Sequence, residues 1–243
     1  MNATHRFDAI AARLSRSATL RPAVAVAILC ALTIPAAGRA SDDPAADGPK
    51  TLSLFDGTGL DGWKKTDFFG KGEVKVEDGS IIMSAGGAMT GITSTRKDLF
   101  KTNYELSYEA MRLSGSDFFA AATFPVGKSY ITLVNGGWAG SVTGLSSLNG
   151  SDASENGTSS FVPYENKTWY RFRVQVTDEV IRCWVDDKPV VSVNYKDQLV
   201  STRIETRANQ PLGFATYESS GVLRKIEIRP LTPAEIAANN KAS

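Results

Sequence analysis

Carboxylates carry most of the chemistry this sequence could perform. Glu105 and Glu109 alternate with apolar residues in YELSYEAMRL (104–113), Asp117 follows at the next turn, and Asp186 and Glu218 stand in later turns. Asp152 and Glu155 close a Gly- and Ser-rich stretch, GGWAGSVTGLSSLNGSDASENGT (136–158). Such groups can act as general acids and bases, and each equally fits a solvated strand face or a turn cap. Histidine offers no alternative, because the chain has only His5, inside a segment that reads as a leader. The remainder can build no Ser-His-Asp triad, no Cys-His pair and no imidazole-ligated zinc. Tyr and Lys are the other groups able to move protons. No cofactor is expected; a metal would need oxygen ligands and so favour calcium. Asp152, Glu155 and Asn156 could supply such oxygens, although their spacing matches no EF-hand loop.

The leader is legible in residues 1–40. Arg6, Arg13, Arg16 and Arg21 precede AVAVAILCALTIP, and Gly38-Arg39-Ala40 places small residues where a signal peptidase cuts. The apolar run is shorter than the roughly 18–20 residues of a spanning helix, so export without a stable membrane anchor is expected. Cleavage near Ala40 would take the charged residues from 27 basic and 26 acidic to 22 and 25, a net charge of −3. That balance speaks against nucleic acid as a partner. Cleavage would also remove Cys30 and leave Cys183 without a partner for a disulfide.

Residues 41–50, SDDPAADGPK, read as a polar leader, and a single domain is expected over residues 51–231 with a tail at 232–243. The domain's pattern is period two almost throughout, in short runs bounded by Gly, Asp and Asn, as in antiparallel sheets. EVKVEDGSIIMS (73–84) predicts a hairpin at Asp78-Gly79. Tyr104, Leu106 and Tyr108 share one face of a strand; FFAAATFPV and SYITLVN are joined by a turn at 125–128; WYRFRVQVT, VIRCWVDDKPVVSVNY, PLGFATYE and VLRKIEIRPL complete the set. Ten or more strands predict an all-β, two-sheet antiparallel jelly-roll sandwich, with ligands lying across a concave sheet under its loops. PAEIAANNKAS (233–243) could make one or two helical turns before fraying. At about 20 residues, 136–158 is long for a hairpin connection; Trp138, Leu145 and Leu148 give it apolar anchors, so it is expected to be an ordered rim loop with Trp138 facing the ligand.

Leu54-Phe55-Asp56-Gly57 followed by Leu60-Asp61-Gly62-Trp63 resembles the opening of the 3-keto-disaccharide hydrolase domain family. Asp78-Gly79, the strand at 104–109, Trp169, Trp184-Val185-Asp186-Asp187 and Leu223-Arg224-Lys225-Ile226 match further landmarks. The resemblance covers about residues 51–231 and implies a concanavalin A-like lectin/glucanase fold. Gly115-Ser116-Asp117-Phe118-Phe119-Ala120 stands in place of the family's N-S-G-x-x-x-R. Tyr130-Ile131-Thr132-Leu133 stands where Y-E-x-Q is common, which puts apolar Ile131 and Leu133 at the polar positions, and a histidine frequent near the C-terminal hairpin is missing.

What the resemblance implies is an exported hydrolase of 3-keto-disaccharides or related glycosides. Glycoside hydrolysis ordinarily needs two carboxylates, about 5–5.5 Å apart if retaining and roughly 6.5–9.5 Å if inverting. A 3-keto sugar relaxes this, because the ketone acidifies the neighbouring C–H and one base with one acid could eliminate the aglycone. Glu109, Asp117 and Glu155 are the catalytic candidates; Trp138 and Trp184 could stack on a pyranose, with Arg182 and Asp186 offering polar contacts. Arg182 and Asp186 could equally form a surface ion pair. A non-catalytic carbohydrate-binding or cell-surface module on the same fold is the alternative reading, and a structural interaction domain of an envelope assembly a third.

Overall fold

The computed structural model describes residues 49–241; the expected signal segment 1–40 and most of the 41–50 leader lie outside them. Fourteen strands form along the described chain: β1 (Leu52–Ser53), β2 (Trp63–Lys65), β3 (Val74–Glu77), β4 (Ser80–Met83), β5 (Met89–Ser94), β6 (Tyr104–Ser114), β7 (Ala121–Val126), β8 (Ser129–Gly136), β9 (Val142–Ser146), β10 (Trp169–Val176), β11 (Val180–Val185), β12 (Lys188–Asn194), β13 (Gly213–Tyr217) and β14 (Ser220–Pro230). They make two antiparallel sheets. One has eight strands, β12-β11-β10-β6-β14-β4-β3 with β1 on β14; the other has six, β2-β5-β13-β7-β8-β9. This is the two-sheet jelly-roll sandwich the alternation predicts.

The core is the sum of those alternations. Tyr104, Leu106, Tyr108 and Ala110 of β6 are fully buried, as are Phe172 and Val174 of β10, and they meet Ile92, Phe124, Leu133 and Phe214 of the six-stranded sheet. Tyr108 stacks on Phe172 at 4.9 Å and meets Phe214 edge-on at 4.9 Å. The hydroxyl of Tyr104 donates to Pro125 O at 2.6 Å, tying the sheets together and satisfying its own buried donor. The hairpin at Asp78-Gly79 has both turn residues in the left-handed region, at φ 48° and 70°, as a two-residue connection requires.

The opening landmark is a folding device. Leu54 and Phe55 enter the core, Trp63 Nε1 donates to Leu54 O at 2.7 Å, and Asp56 Oδ1 accepts from the Thr58 N–H at 2.8 Å to close the turn. None of these groups lines either of the two hollows described below.

Two segments differ from expectation. The stretch 136–158 is not one long loop: Val142–Ser146 forms β9, the edge strand of the six-stranded sheet, paired to β8 through Leu133↔Leu145 and Thr132↔Ser146. VTGLS lacks alternation because both its faces are covered, and all five residues are buried. The C-terminal segment, Pro233–Lys241, is a helix that docks rather than frays. Thr232 and Glu235 form a capping box: Glu235 N–H donates to Thr232 Oγ1, and Glu235 Oε2 accepts from Thr232 N–H at 2.8 Å, with proline at the first helical position. Near its end buried Asn239 donates to Gln175 Oε1 at 2.6 Å on the outer face of the eight-stranded sheet.

The Arg229 guanidinium, bonded to both Glu235 oxygens, lowers the Glu235 carboxyl from its ordinary value near 4.5 to about 2. A depressed folded-state pKa means the ionised form stabilises the fold above the unfolded value and loses that contribution as pH falls from about 4.5 towards 2. Urea midpoints measured between pH 6 and 2.5 should therefore fall less steeply for Glu235→Gln than for the wild type; equal slopes would exclude this contribution.

Candidate functional site

A cavity of about 290 Å³ opens on the outer face of the six-stranded sheet. Alternation decides its floor: Ile131 and Leu133 of β8 point to the core, so Thr132 and Val134 point outward, beside Ser146 of β9, Met89 of β5 and Tyr217 of β13. The segment 201–206 lies over part of this face, held where Thr132 Oγ1 donates to Thr206 Oγ1 at 3.1 Å, and it brings Arg203, Glu205 and Thr206 to the wall. The β6–β7 connection supplies Asp117 and Phe118; the tight turn 137–140 supplies Trp138.

Asp117 is placed by its backbone. Gly115, at φ 93°, lets the chain pass 219, where a Cβ would lie 2.4 Å from Ser219 Oγ, and that hydroxyl accepts from the Asp117 N–H at 3.0 Å. Asp117 Oδ1 accepts from Phe118 N–H at 2.8 Å, and Oδ2 from Ala139 N–H at 2.8 Å. The second bond spans two loops and holds Trp138 and Ala139 in left-handed conformations, φ 51° and 57°, which non-glycine residues adopt at a cost. Trp138 is 39% exposed and lines the cavity. Phe118 and Tyr217 stack obliquely opposite, with ring centroids 5.7 Å apart. The Tyr217 hydroxyl has no hydrogen-bond partner among the described residues.

Arg203 organises the charge. Its guanidinium binds Glu205 through Nη2–Oε1 at 3.0 Å and Nε–Oε2 at 3.3 Å, binds Asp152 through Nη1, and lies 5.8 Å from the Trp138 ring centroid. The hydrogen bond from Arg203 holds the Glu205 carboxyl below its ordinary value near 4.5, so it is ionised at neutral pH. Two carboxylates, one cation and an apolar aromatic wall thus share one opening.

Of the residues singled out from sequence, Asp117 and Trp138 line this cavity, and Asp152 reaches it through Arg203. The others stand elsewhere. Glu109 is on the outer face of the opposite sheet, clamped by Arg224 at 2.7 Å and Lys225 at 2.8 Å. Glu155 is exposed on the turn after β9, outside the lining. Trp184 is 8% exposed, with the Arg173 guanidinium 3.9 Å from its ring centroid, and offers no open face to a sugar. Arg182 reaches Asn239 rather than Asp186, whose Oδ1 accepts from the Arg171 N–H at 2.8 Å. Of the oxygens considered for calcium, two are engaged in turns: Asp152 Oδ1 accepts from Ser154, and Asn156 Oδ1 from Thr158.

Sequence reasoning missed Glu205, Arg203, Tyr217, Thr132 and Phe118. A signal existed for the first two, since STRIETRANQ (201–210) alternates charge in a stretch with no strand pattern. The apolar residues at Ile131 and Leu133 are core positions, so they carry no information about the cavity; the outward residues of β8 are Tyr130, Thr132 and Val134.

Solved structures share the fold. Domain 4 of AbnA, a GH43 extracellular arabinanase from Geobacillus stearothermophilus solved with arabinotriose, aligns with a TM-score of 0.51 at 18% identity over 78% of this chain and 96% of that one. The apo Crh5 transglycosylase aligns at 0.51 with 14% identity, over 76% and 84%. The carbohydrate-binding module CBM66 from Bacillus subtilis gives 0.48 at 10% identity, over 71% and 98%. No curated protein matches the chain in sequence. The family model described as the 3-keto-alpha-glucoside-1,2-lyase-like domain matches residues 50–229, and the chain belongs to that family.

Proposed function

We propose that this protein is an exported enzyme that cleaves a 3-keto-α-glucoside in the cavity by elimination. The observation that carries the reading is the meeting of an ionised carboxylate, Glu205, with a partly exposed indole, Trp138, and a free phenol, Tyr217, in one cavity. The family supports the substrate class, and the basic and apolar N-terminal segment supports export.

The chemistry follows from the ketone. A carbonyl at C3 acidifies the C2–H, so a carboxylate can remove that proton; the electron pair forms the C1–C2 double bond and expels the C1 oxygen, which takes a proton as it leaves. Glu205 is the base and the Tyr217 hydroxyl the acid in this assignment. Arg203 has two opposed effects: it keeps Glu205 charged, and it weakens it as a base. The acidified C–H tolerates a weak base, whereas direct displacement at C1 would want a second free carboxylate. Positive charge at Arg203 also favours the enolate that forms on the carbonyl oxygen. Trp138 covers the apolar face of the ring, and Asp117 positions Trp138.

One observation favours a binding module instead: both cavity carboxylates are already hydrogen-bonded within the protein. The test separates the two. Incubation with 3-keto-trehalose should release free glucose; Trp138→Ala should raise KM by about tenfold, about 1.4 kcal/mol of lost stacking. Glu109→Gln, remote from the cavity, should leave turnover within about twofold. No release, with saturable sugar binding that Trp138→Ala abolishes, would make the protein a binding module; release lost on Glu109→Gln would move the chemistry to the other sheet.

A further inference from the structure

A second hollow, of about 620 Å³, lies on the other side of the 201–211 segment from the cavity, where Tyr130 continues the outward row of β8. Its wall is cationic. Lys64 on β2, Arg96, Lys97 and Lys101 after β5, and Lys128 in the β7–β8 turn all line it, and no acidic residue does.

Four of these five cations have no ion pair among the described residues. Arg96 is bound to Asp98, with Nη2–Oδ2 at 2.6 Å, but Lys64, Lys97, Lys101 and Lys128 have no carboxylate within 4 Å among the described residues. A chain with 27 basic and 26 acidic residues has acids enough to pair them, and elsewhere it does so, as at Lys75–Glu77 and Lys196–Glu179. Like charges gathered in one hollow repel and raise the local potential, which an anionic ligand relieves. Tyr130 adds an aromatic surface suited to a sugar ring among these cations.

We propose that this cleft binds an acidic oligosaccharide, one bearing carboxylate or sulfate groups along its chain. The preference for a sugar over another polyanion rests on the carbohydrate reading above; the electrostatic part does not.

Titration of the whole protein at 50 mM salt with oligogalacturonate, a heparin oligosaccharide, a neutral maltooligosaccharide and polyglutamate tests it. Binding of at least one acidic sugar is expected, weakening as salt rises, with no binding of the neutral sugar. Lys97→Glu with Lys128→Glu should lower that affinity at least tenfold. Lys50→Glu with Lys188→Glu, an equal change of net charge at exposed sites outside the cleft, should change it by less than twofold. Tighter binding of oligogalacturonate would assign the carboxylate as sufficient, and tighter binding of heparin, which carries carboxylates and sulfates, would show that sulfate adds to it. Equal losses for both variant pairs, binding insensitive to salt, or no binding would overturn the cleft; polyglutamate bound as tightly as the sugars would overturn the glycan. Because binding is read without turnover, an inactive cavity leaves this result intact, and an active cavity does not supply it.

Discussion

Glu205→Gln should lower kcat on a 3-keto-α-glucoside by about 10²–10⁴-fold while leaving KM within a few fold, the range seen when a positioned general base is removed. The substitution is nearly isosteric and removes the charge that would take the C2 proton. Arg203 keeps its other partner, Asp152, so the 201–206 segment should stay in place and Trp138 should keep its neighbour. Because Arg203 holds Glu205 below the ordinary glutamate range, the acid limb of kcat/KM should fall below pH 4.5, and the base should remain competent through the mildly acidic range. A Glu205→Gln protein that turns over normally would transfer the base's role to Asp117. Asp117 is separable by its own pair of variants: of the two acceptors that serve Phe118 and Ala139, Asn retains one, which can take the Ala139 N–H, and Ala retains none. If Asp117 acts by positioning Trp138, Ala should raise KM and Asn should not.

Phe172→Ala should destabilise the fold by about 3–5 kcal/mol, read as a lower urea midpoint with the slope unchanged. Phe172 is fully buried and sits in an aromatic cluster, 4.9 Å from Tyr108 and 6.1 Å from both Phe119 and Tyr164. Its removal leaves a cavity between sheets whose other walls are rigid rings, which relax little into the space. Phe161, the same residue type at 70% exposure, provides the contrast: Phe161→Ala should move stability by no more than about 0.5 kcal/mol. Equal effects at the two sites would show that the rings of the cluster do not form the core described here.

Much of the fold could be read from the residues. β6 and β10 alternate cleanly because one face of each meets the other sheet, β14 does so except at an irregularity around Lys225 that moves its core side from Leu223 to Ile226, and Asp78-Gly79 and Gly127-Lys128 mark turns by residue type alone. β9 could not be read, since VTGLS is covered on both faces and has no period to detect; covered on one side by the core and on the other by the chain around Ala153–Ser160, it looked like a loop. The C-terminal helix was legible as a helix but not as a docked one, because its anchor, Asn239 to Gln175, joins residues 64 positions apart.

The candidate site divides the same way. Sequence by itself determined a two-sheet sandwich, the lack of histidine in its domain, and the candidacy of Asp117 and Trp138, since these depend on residue type and on local period. Only the tertiary structure decided that Glu109, Arg182 and Trp184 belong to one outer face and Asp117 and Trp138 to the other. Alternation says which residues of a strand share a side, and shifting a comparison by one residue exchanges the sides, as at Ile131 and Thr132. It cannot say what covers the outer side. Here that cover is the 201–211 segment, which carries Arg203 and Glu205 to a tryptophan more than sixty residues earlier and separates an apolar, carboxylate-bearing cavity from a cationic cleft.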